Sequence, residues 1–461
     1  MRQRNRILLG AIILIILTSY LTFTYTMLRF QNLYSVTREE LNDMEDFFTV
    51  LNALQKDFVN DIPVSQIIEG AVSGMLEAAD DPYTTYLDTK QYQRLLQQTG
   101  GSFGGIGLYV GVRDGKIVII APIEGTPAAT AGLIRGDEIV GVDGTDVRGQ
   151  ALDDVVDMMR GIPGTSVIVS VQRNGEESPR DFQIVRAVIS IETVKSNMLE
   201  SKIGYIAISE FNRNTSQDFA IALAKLKAEG MIGLVLDLRD NPGGLLTESV
   251  HVAEYLVDEG VIVHIVSRDG IQETMKSKTK GLGLPLVVLI NDGSASASEI
   301  IAGAVKDRQA GSLVGVKTFG KASVQGIFSL RNGGGYKITT EKYLTPNETL
   351  IHGYGIDPDV EVYGLGDRAV SRGIVGDDVT DLAHVMIDLG YFTGVPQDVF
   401  GEEIESAIRL YQKAKRIEET GIASRNIIYD LLEEWTVKFP DAKIRDTQLM
   451  KAMDEVLRLN Q

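Results

Sequence analysis

The sequence predicts a multi-domain α/β protein: a single transmembrane helix, a helical N-terminal arm, a small β-domain, an α/β core and a small helical C-terminal domain. The chain has 461 residues, more than one hydrophobic core supports and enough for about three or four modules. The pattern of apolar residues changes along the chain, from helical spacing to that of short alternating strands, and then to that of buried strands alternating with helices. With 44% hydrophobic and 23% charged residues, its composition is that of a folded protein.

Charge and residue counts exclude several functional classes. The net charge is −18 and there is no basic stripe, so we expect no nucleic-acid partner. The absence of cysteine excludes disulfides, thiolate metal sites and a cysteine nucleophile. The four histidines form no H-E-x-x-H motif, which argues against a zinc hydrolase. We expect neither a metal nor a cofactor.

The N-terminus predicts a membrane anchor, residues 1–30. Residues 7–28 are apolar and uncharged and follow three arginines, and about 20 such residues span the bilayer core. The arginines place the N-terminus inside, so we expect a single-pass protein of the cell membrane whose chain after about residue 30 is extracytoplasmic. A cleaved signal peptide is the alternative, but the run exceeds the usual ~7–15 residues and no A-x-A site follows.

Residues 31–98 are predicted to form a helical arm. TREELNDMEDFFTVLNALQKDF and VSQIIEGAVSGMLEAA space their apolar residues three and four apart until Asp81-Pro82 breaks the pattern. Either the main body or a second chain must cover these apolar faces. Homodimerisation through the arm is therefore one of two alternatives.

Three further regions follow. Residues 99–187 contain short alternating strands such as SVIVSVQRNG and one helix, ALDDVVDMMRG, which predicts a small β-domain. In residues 188–370, buried-type strands such as IGLVLDL and LPLVVLI alternate with helices, which predicts an α/β sheet. Residues 376–436 and a tail, 437–461, are predicted to be helical.

The segment NDGSASASEI follows the predicted strand LPLVVLI, residues 284–290. A serine at such a strand-to-helix turn is exposed on a rigid base, next to helical N–H groups that can stabilise an oxyanion. Ser296 in this position suits acyl transfer. The alternative is a capping box, with Ser296 as N-cap and Glu299 at N3.

A serine nucleophile needs a base, and no histidine has a recognisable context. Lys321 in TFGKASVQG has small and apolar neighbours, and Gln325 could orient its amine. Its pKa must fall by about three units from ~10.4, which takes about 4 kcal/mol and a buried site; the alternative is a solvated surface lysine. The stretch GVKTFGKA also resembles a P-loop, but Ala322 stands where Ser or Thr is needed and a strand follows, so we reject nucleotide binding.

A third element is GLVLDLRDNPGGLL, a buried strand that ends in a tight turn. Gly243 and Gly244 allow the backbone to approach a ligand closely and to point N–H groups into a cleft. The alternative is that they only turn the chain.

Together these motifs resemble the carboxy-terminal processing peptidases, or tail-specific proteases, which use a Ser–Lys dyad. The resemblance covers about residues 35–365 and runs in order through DDPYTTYL, PAATAGLIRGDEIVGVDG, LDLRDNPGGLL, NDGSASASEI and TFGKASVQ. It implies that Ser296 is the nucleophile and Lys321, 25 residues later, the general base, with Gln325 positioning the lysine. It further implies that Ala297 and Gly243 supply oxyanion-hole N–H groups.

The β-domain resembles a PDZ domain, most clearly in PAATAGLIRGDEIVGVDG. The resemblance implies that the turn Gly105-Ile106-Gly107-Leu108 offers N–H groups to a peptide's terminal carboxylate, while the peptide adds as a strand. Expected partners are proteins or peptides with free, apolar C-termini. The alternative is a β-domain with an idle groove.

The C-terminal region resembles a peptidoglycan-binding domain through the pattern LGYF…VFG…AIRLYQ…TGIAS, which implies peptidoglycan as a partner; dimer packing is the alternative. The function predicted overall is a membrane-anchored serine endopeptidase that recognises protein C-termini. The competing hypothesis is a catalytically silent, anchored PDZ scaffold. The intact set of Ser296, Lys321 and Gln325 argues against the scaffold.

Overall fold

The computed structural model describes residues 13–26 and 38–461. The described residues up to Tyr86 form one compact unit, and those from Leu87 onward form a second. The helices of the first unit are α1 (residues 13–26), α2 (Arg38–Lys56) and α3 (Val64–Glu77). Strand β1 (Thr85–Leu87) spans the boundary in the chain.

The N-terminal stretch corrects the prediction of a membrane anchor. Spanning the bilayer core takes about 20 consecutive apolar residues in a helix, and no helix among the described residues is long and apolar enough to do so. The predicted transmembrane helix is therefore wrong for the described chain. The predicted single-pass localisation in the cell membrane rested on that helix and is wrong with it. The ends of the predicted span, residues 7–12 and 27–28, lie outside the described residues.

The arm of the first unit is helical and exposes large apolar side chains. Phe48 is 52% exposed, Val59 87% and Met75 75%. Helix α3 has no buried residue. Homodimerisation through the arm stays a prediction.

The second unit begins with a helix and an antiparallel β-domain. Its elements are α4 (Thr89–Gly100), β2 (Ser102–Gly105), β3 (Leu108–Arg113), β4 (Lys116–Pro122), α5 (Pro127–Ala131), β5 (Glu138–Val142), β6 (Thr145–Asp146), α6 (Leu152–Met159), β7 (Ser166–Gln172), β8 (Arg180–Val185) and β9 (Ala187–Ser190). The sheet order is β3-β4-β5-β7-β8, with β6 beside β5. Strand β2 pairs with β9, so the chain enters and leaves this domain side by side.

The next region builds an α/β core. Its elements are β10 (Val194–Met198), the 3₁₀ turn Glu200–Lys202, β11 (Ile203–Ile208), α7 (Thr215–Ala228), β12 (Gly233–Asp237), α8 (Leu246–Glu254), β13 (Gly260–Ser267), β14 (Gly270–Ser277), β15 (Leu286–Ile290), α9 (Ala297–Asp307), β16 (Ser312–Gly315), β17 (Ser323–Ser329), β18 (Gly335–Leu344) and β19 (Val360–Glu361). One sheet has the order β10-β11-β12-β15-β16-β19. From β11 onward its strands are parallel. Strands β17, β18, β13 and β14 pair antiparallel in a second sheet.

The central parallel strands are buried on both faces. Along β12, Leu234 and Leu236 pack into the cluster that contains α7, α8 and α9, whereas Val235 points to a second cluster. This alternation follows from the period of two in a strand. Covering both faces explains why β12 and β15 are continuous apolar runs.

The C-terminal region adds four helices, which pack in two places. They are α10 (Asp377–Leu389), α11 (Glu402–Lys415), α12 (Arg425–Lys438) and α13 (Thr447–Leu459). Helices α10 to α12 share a hydrophobic core of their own. Helix α13 instead places Ala452 and Val456 against the second face of the parallel sheet. The chain thus returns to the α/β core after completing the helical domain.

Candidate active site

Ser296 lies between the central parallel strand β15 and helix α9, as the N-cap of that helix. Its backbone has φ 55° and ψ −113°, a left-handed conformation that costs about 1–3 kcal/mol in a residue with a Cβ and persists only when its surroundings enforce it. Such a turn presents the side chain at the carboxyl end of the sheet.

The three serines of the segment have different surroundings. Ser294 and Ser298 are fully buried, and their hydroxyls donate hydrogen bonds to the carbonyl oxygens of Leu238 (2.7 Å) and Asn241 (3.0 Å). Ser296 is partly exposed. Two serines therefore fasten the turn to the loop after β12, and the middle one is left accessible.

A buried carboxylate joins the Ser296 turn to the Lys321 turn. Glu299 is fully buried and accepts the backbone N–H groups of Ser296 (2.9 Å) and Lys321 (2.7 Å) on Oε2. Its Oε1 accepts the Thr318 hydroxyl (2.6 Å) and the Gly320 N–H (2.7 Å). In the predicted capping box, the Glu299 side chain accepts the N–H of the N-cap residue, and its bond to Ser296 is this contact. The same carboxylate also holds the neighbouring lysine turn.

Tyr343 of β18 joins the same two turns on their carbonyl side. Its hydroxyl lies 2.8 Å from the carbonyl oxygen of Ser296 and 2.9 Å from that of Lys321. Complete burial, and secondarily the charge of Glu299, raises the pKa of Tyr343 well above its usual value, so the hydroxyl keeps its proton. Glu299 and Tyr343 thus bind the N–H and C=O groups, respectively, of the same two residues.

The lysine turn has further supports from the chain around it. Lys321 is half-buried, and the next N–H, that of Ala322, donates to Nδ1 of His352 at 3.2 Å. The predicted orienting residue, Gln325, donates to the hydroxyls of Ser323 (2.9 Å) and Thr339 (3.3 Å). The sequence did not predict a role for His352, because its contact with Ala322 depends on a loop that folds back over the turn.

Gly243 and Ala297 lie beside Ser296. A Cβ on Gly243, at φ 105°, would come within 2.7 Å of the Ser296 Cβ and 2.9 Å of the Ala297 nitrogen. Ala297 is the first residue of α9, where backbone N–H groups have no partner inside the helix. The Gly243 N–H, however, donates to Asn241 Oδ1 at 2.9 Å, so in this conformation it is already used.

The turn proposed to bind carboxylates lies between β2 and β3. Ile106 is buried and its carbonyl accepts the N–H of Ala128, while the Gly107 carbonyl accepts that of Ile123. Strand β3 is at the sheet edge. The apolar side chains of β3 and α6 that pack half-buried on the domain core are Leu108, Val110, Leu152, Val156 and Met158.

Gly107 is unsuitable for testing this turn. It has φ 83°, and a Cβ there would come within 2.4 Å of the Thr126 Cβ. A bulky substitution would therefore distort the turn itself, so its effect on processing would not separate recognition from folding.

Comparison with known proteins places the chain in a family. Residues 202–362 match the model of peptidase family S41, 118–173 that of the PDZ domain, 19–91 that of the "Activating protease CtpB N-terminal domain" and 375–429 that of a "Putative peptidoglycan binding domain". The serine-type peptidase core and the PDZ domain define the class of protein, as predicted. The chain belongs to the carboxy-terminal processing proteases of that peptidase family.

Similar proteins match over most of the chain. The chain is 34% identical over 412 residues to "Carboxy-terminal processing protease CtpA" of Bacillus subtilis (strain 168), which covers 87% of each chain. It is 31% identical to "Probable CtpA-like serine protease" of Staphylococcus aureus (strain MRSA252), over 96% of this chain and 92% of the other. Among solved structures, "Photosystem II D1 C-terminal processing protease" matches at 32% identity and a TM-score of 0.41, covering 71% of this chain and 94% of the other.

Proposed function

We propose that this serine protease hydrolyses peptide bonds with a dyad of Ser296 and Lys321. Ser296 Oγ attacks the carbonyl carbon of the scissile bond while the neutral Lys321 amine accepts the hydroxyl proton. The tetrahedral intermediate collapses, the leaving amine takes that proton, and water then hydrolyses the acyl-enzyme by the same route. The Ala297 N–H is the first donor to the oxyanion, and the Gly243 N–H joins it once it leaves Asn241.

One observation carries this proposal. Glu299 binds the backbone N–H groups of both Ser296 and Lys321, and the Tyr343 hydroxyl lies within hydrogen-bond distance of both carbonyl oxygens. Two residues far apart in sequence are thereby held in a fixed relation by buried groups. A purely structural turn would not require the partly exposed serine between two buried ones.

The test is cleavage of an unfolded protein by the full chain, with Ser296→Ala beside it. We expect the wild type to cut and the variant to be inactive with an unchanged melting temperature. Cleavage by Ser296→Ala at the wild-type rate would refute the assignment of Ser296 as the nucleophile. An inert wild type would favour the scaffold hypothesis.

We further propose that the PDZ domain selects substrates by their free, apolar C-terminus. The edge strand β3 and its half-buried apolar side chains support this, because an added peptide strand needs an unpaired edge and apolar contacts. Amidating the substrate's C-terminus should raise KM, since it removes the charge that the backbone N–H groups would bind. Equal KM values for the acid and the amide would contradict the proposal.

For the helical domain, α10 to α12, we propose binding to peptidoglycan. Support comes from the family match and from a hydrophobic core separate from that of the protease. Co-sedimentation of the full chain with insoluble peptidoglycan tests this. Recovery of all the protein in the supernatant would refute it.

A further inference from the structure

Two loops at the carboxyl end of the parallel sheet carry the groups proposed for catalysis. The loop after β12 contains Gly243, and the loop after β15 leads to Ser296. Asn291 fastens one loop to the other: its Oδ1 accepts the N–H of Asp240 (2.8 Å), and its Nδ2 donates to the Asp240 carboxylate (2.9 Å). A displacement of either loop therefore affects the other.

The loop after β12 is clamped by the C-terminal segment. Arg239 is only 18% exposed and donates to the Asp237 carboxylate at 2.6 Å. It also donates to both oxygens of Asp446, at 2.9 and 2.8 Å, and to Gln448 at 3.0 Å. Asp446 is the N-cap of α13, accepting the Leu449 N–H at 2.9 Å. The helix that covers the second face of the sheet thus also holds this loop.

The loop after β15 is clamped by the helical domain. Arg425, the first residue of α12, forms an ion pair with Asp292 and also donates to the Tyr429 hydroxyl at 3.0 Å. The two side chains of the ion pair are 38% and 43% exposed. This contact joins the helical domain to the segment that runs from β15 to Ser296.

The two clamps are reciprocal. In the first, the core supplies Arg239 and the C-terminal region supplies Asp446. In the second, the C-terminal region supplies Arg425 and the core supplies Asp292. Residues 202–362 match the peptidase family, so Arg425 and Asp446 both lie outside the matched core. Two separate ion pairs from one region to the two reaction loops indicate a function beyond attachment.

We propose that Arg425 and Asp446 are positioning residues of the protease, holding the loops that carry Ser296 and Gly243 in their reactive arrangement. This inference rests on the proposed dyad for its catalytic meaning. Neither residue is assigned contact with the substrate. Their effect is transmitted through Asp292 and Arg239 to the backbone of the loops.

The experiment measures backbone hydrogen exchange in the full chain, which does not require catalysis. Asp446→Asn keeps a side-chain oxygen that can cap α13 but loses the charge, and Arg425→Gln loses the second ion pair. Matched controls are Asp454→Asn, an exposed position on α13, and Arg372→Gln, whose partners Glu402 and Glu405 lie within the helical domain.

We expect exchange in residues 238–243 to rise about ten-fold in Asp446→Asn, since the variant removes one of the two carboxylates that pair with the mostly buried Arg239. Exchange in residues 291–297 should rise about three-fold in Arg425→Gln, because that pair is more exposed. The controls should behave as wild type. In both variants kcat should fall while KM stays within about two-fold.

Two results would overturn the inference: unchanged exchange in both loops, or a rise that accompanies equal loss of protection throughout α13. Exchanging the charges in Asp292→Arg with Arg425→Asp should restore protection, which general destabilisation would not do. The dyad is judged separately, by cleavage with Ser296→Ala, so failure of the dyad and failure of the clamps give different results.

Discussion

The Ser296 turn and the PDZ turn 105–108 both follow a strand, but they are held in different ways. The Ser296 turn is fixed by buried side chains, Glu299 of the adjoining helix and the more distant Tyr343 among them. The PDZ turn is held mainly by backbone bonds, with one hydroxyl, that of Thr126, also donating to the Gly107 carbonyl, beside an open strand edge. Bond breaking requires atoms held in place, whereas peptide recognition requires backbone groups left available.

The sharpest test of this contrast is at Lys321. Both Lys321→Ala and Lys321→Arg should lower kcat by about 10²–10⁴-fold, since alanine has no base and arginine does not release its proton. Steady-state kinetics on an unfolded protein measures this. A Lys321→Arg enzyme with near-normal kcat would mean that only positive charge is needed there, and the proposed base would be wrong.

The next largest effect is expected from Glu299→Gln. A glutamine retains one acceptor oxygen and turns an NH₂ group toward backbone donors, so buried hydrogen bonds are lost at a cost of about 2–4 kcal/mol. Both the melting temperature and kcat should fall. Glu229→Gln, at an exposed position, is the control. Normal kcat in Glu299→Gln would show that the two turns do not need this shared partner.

A smaller effect is expected in the PDZ domain. Leu152→Glu places a negative charge among the half-buried apolar side chains that are proposed to contact the substrate, and an acidic residue in the first turn of α6 is favourable for the helix. KM for a substrate with a free C-terminus should rise about 5–10-fold, with kcat unchanged. Leu152→Gln separates charge from lost apolar contact. If Gln and Glu raise KM equally, charge repulsion is not involved.

The smallest effect is expected from Tyr343→Phe, which removes one hydroxyl worth about 1 kcal/mol and should lower kcat about five-fold. Burial, then the charge of Glu299, raises the pKa of Tyr343 in the folded protein. Its contribution to stability is therefore complete below the unfolded-state pKa of about 10 and is lost as the pH rises above it. The free energy of unfolding, measured between about pH 8 and 11, should decrease less steeply with pH in Tyr343→Phe than in the wild type.

Local patterns predicted much of this molecule. The continuous apolar run before NDGSASASEI predicted a buried strand, and β15 with α9 follow as expected. The peptidase and PDZ resemblances are confirmed by the family matches. The predicted membrane anchor is wrong for the described residues, because an apolar composition does not by itself give a helix long enough to span the bilayer core.

Residues that act across the fold were harder to predict. Glu299 was recognisable as a helix-capping residue, but its bonds to Thr318, Gly320 and Lys321 depend on a loop folding back onto α9. Tyr343 lies in an ordinary strand pattern, and nothing local marks its hydroxyl as shared by two turns. The predicted helical tail, residues 437–461, contains α13, but the prediction did not include the sheet on which this helix packs.

The sequence by itself determined the chemical groups, the order of the domains and the local elements that present Ser296, because strand and helix periodicity and turn chemistry act over a few residues. Only the tertiary structure decided which groups meet: Glu299 and Tyr343 with both reaction turns, and Arg425 and Asp446 with the loops beneath them. Such contacts join segments tens to hundreds of residues apart. Their formation depends on packing of whole faces, which no local pattern encodes.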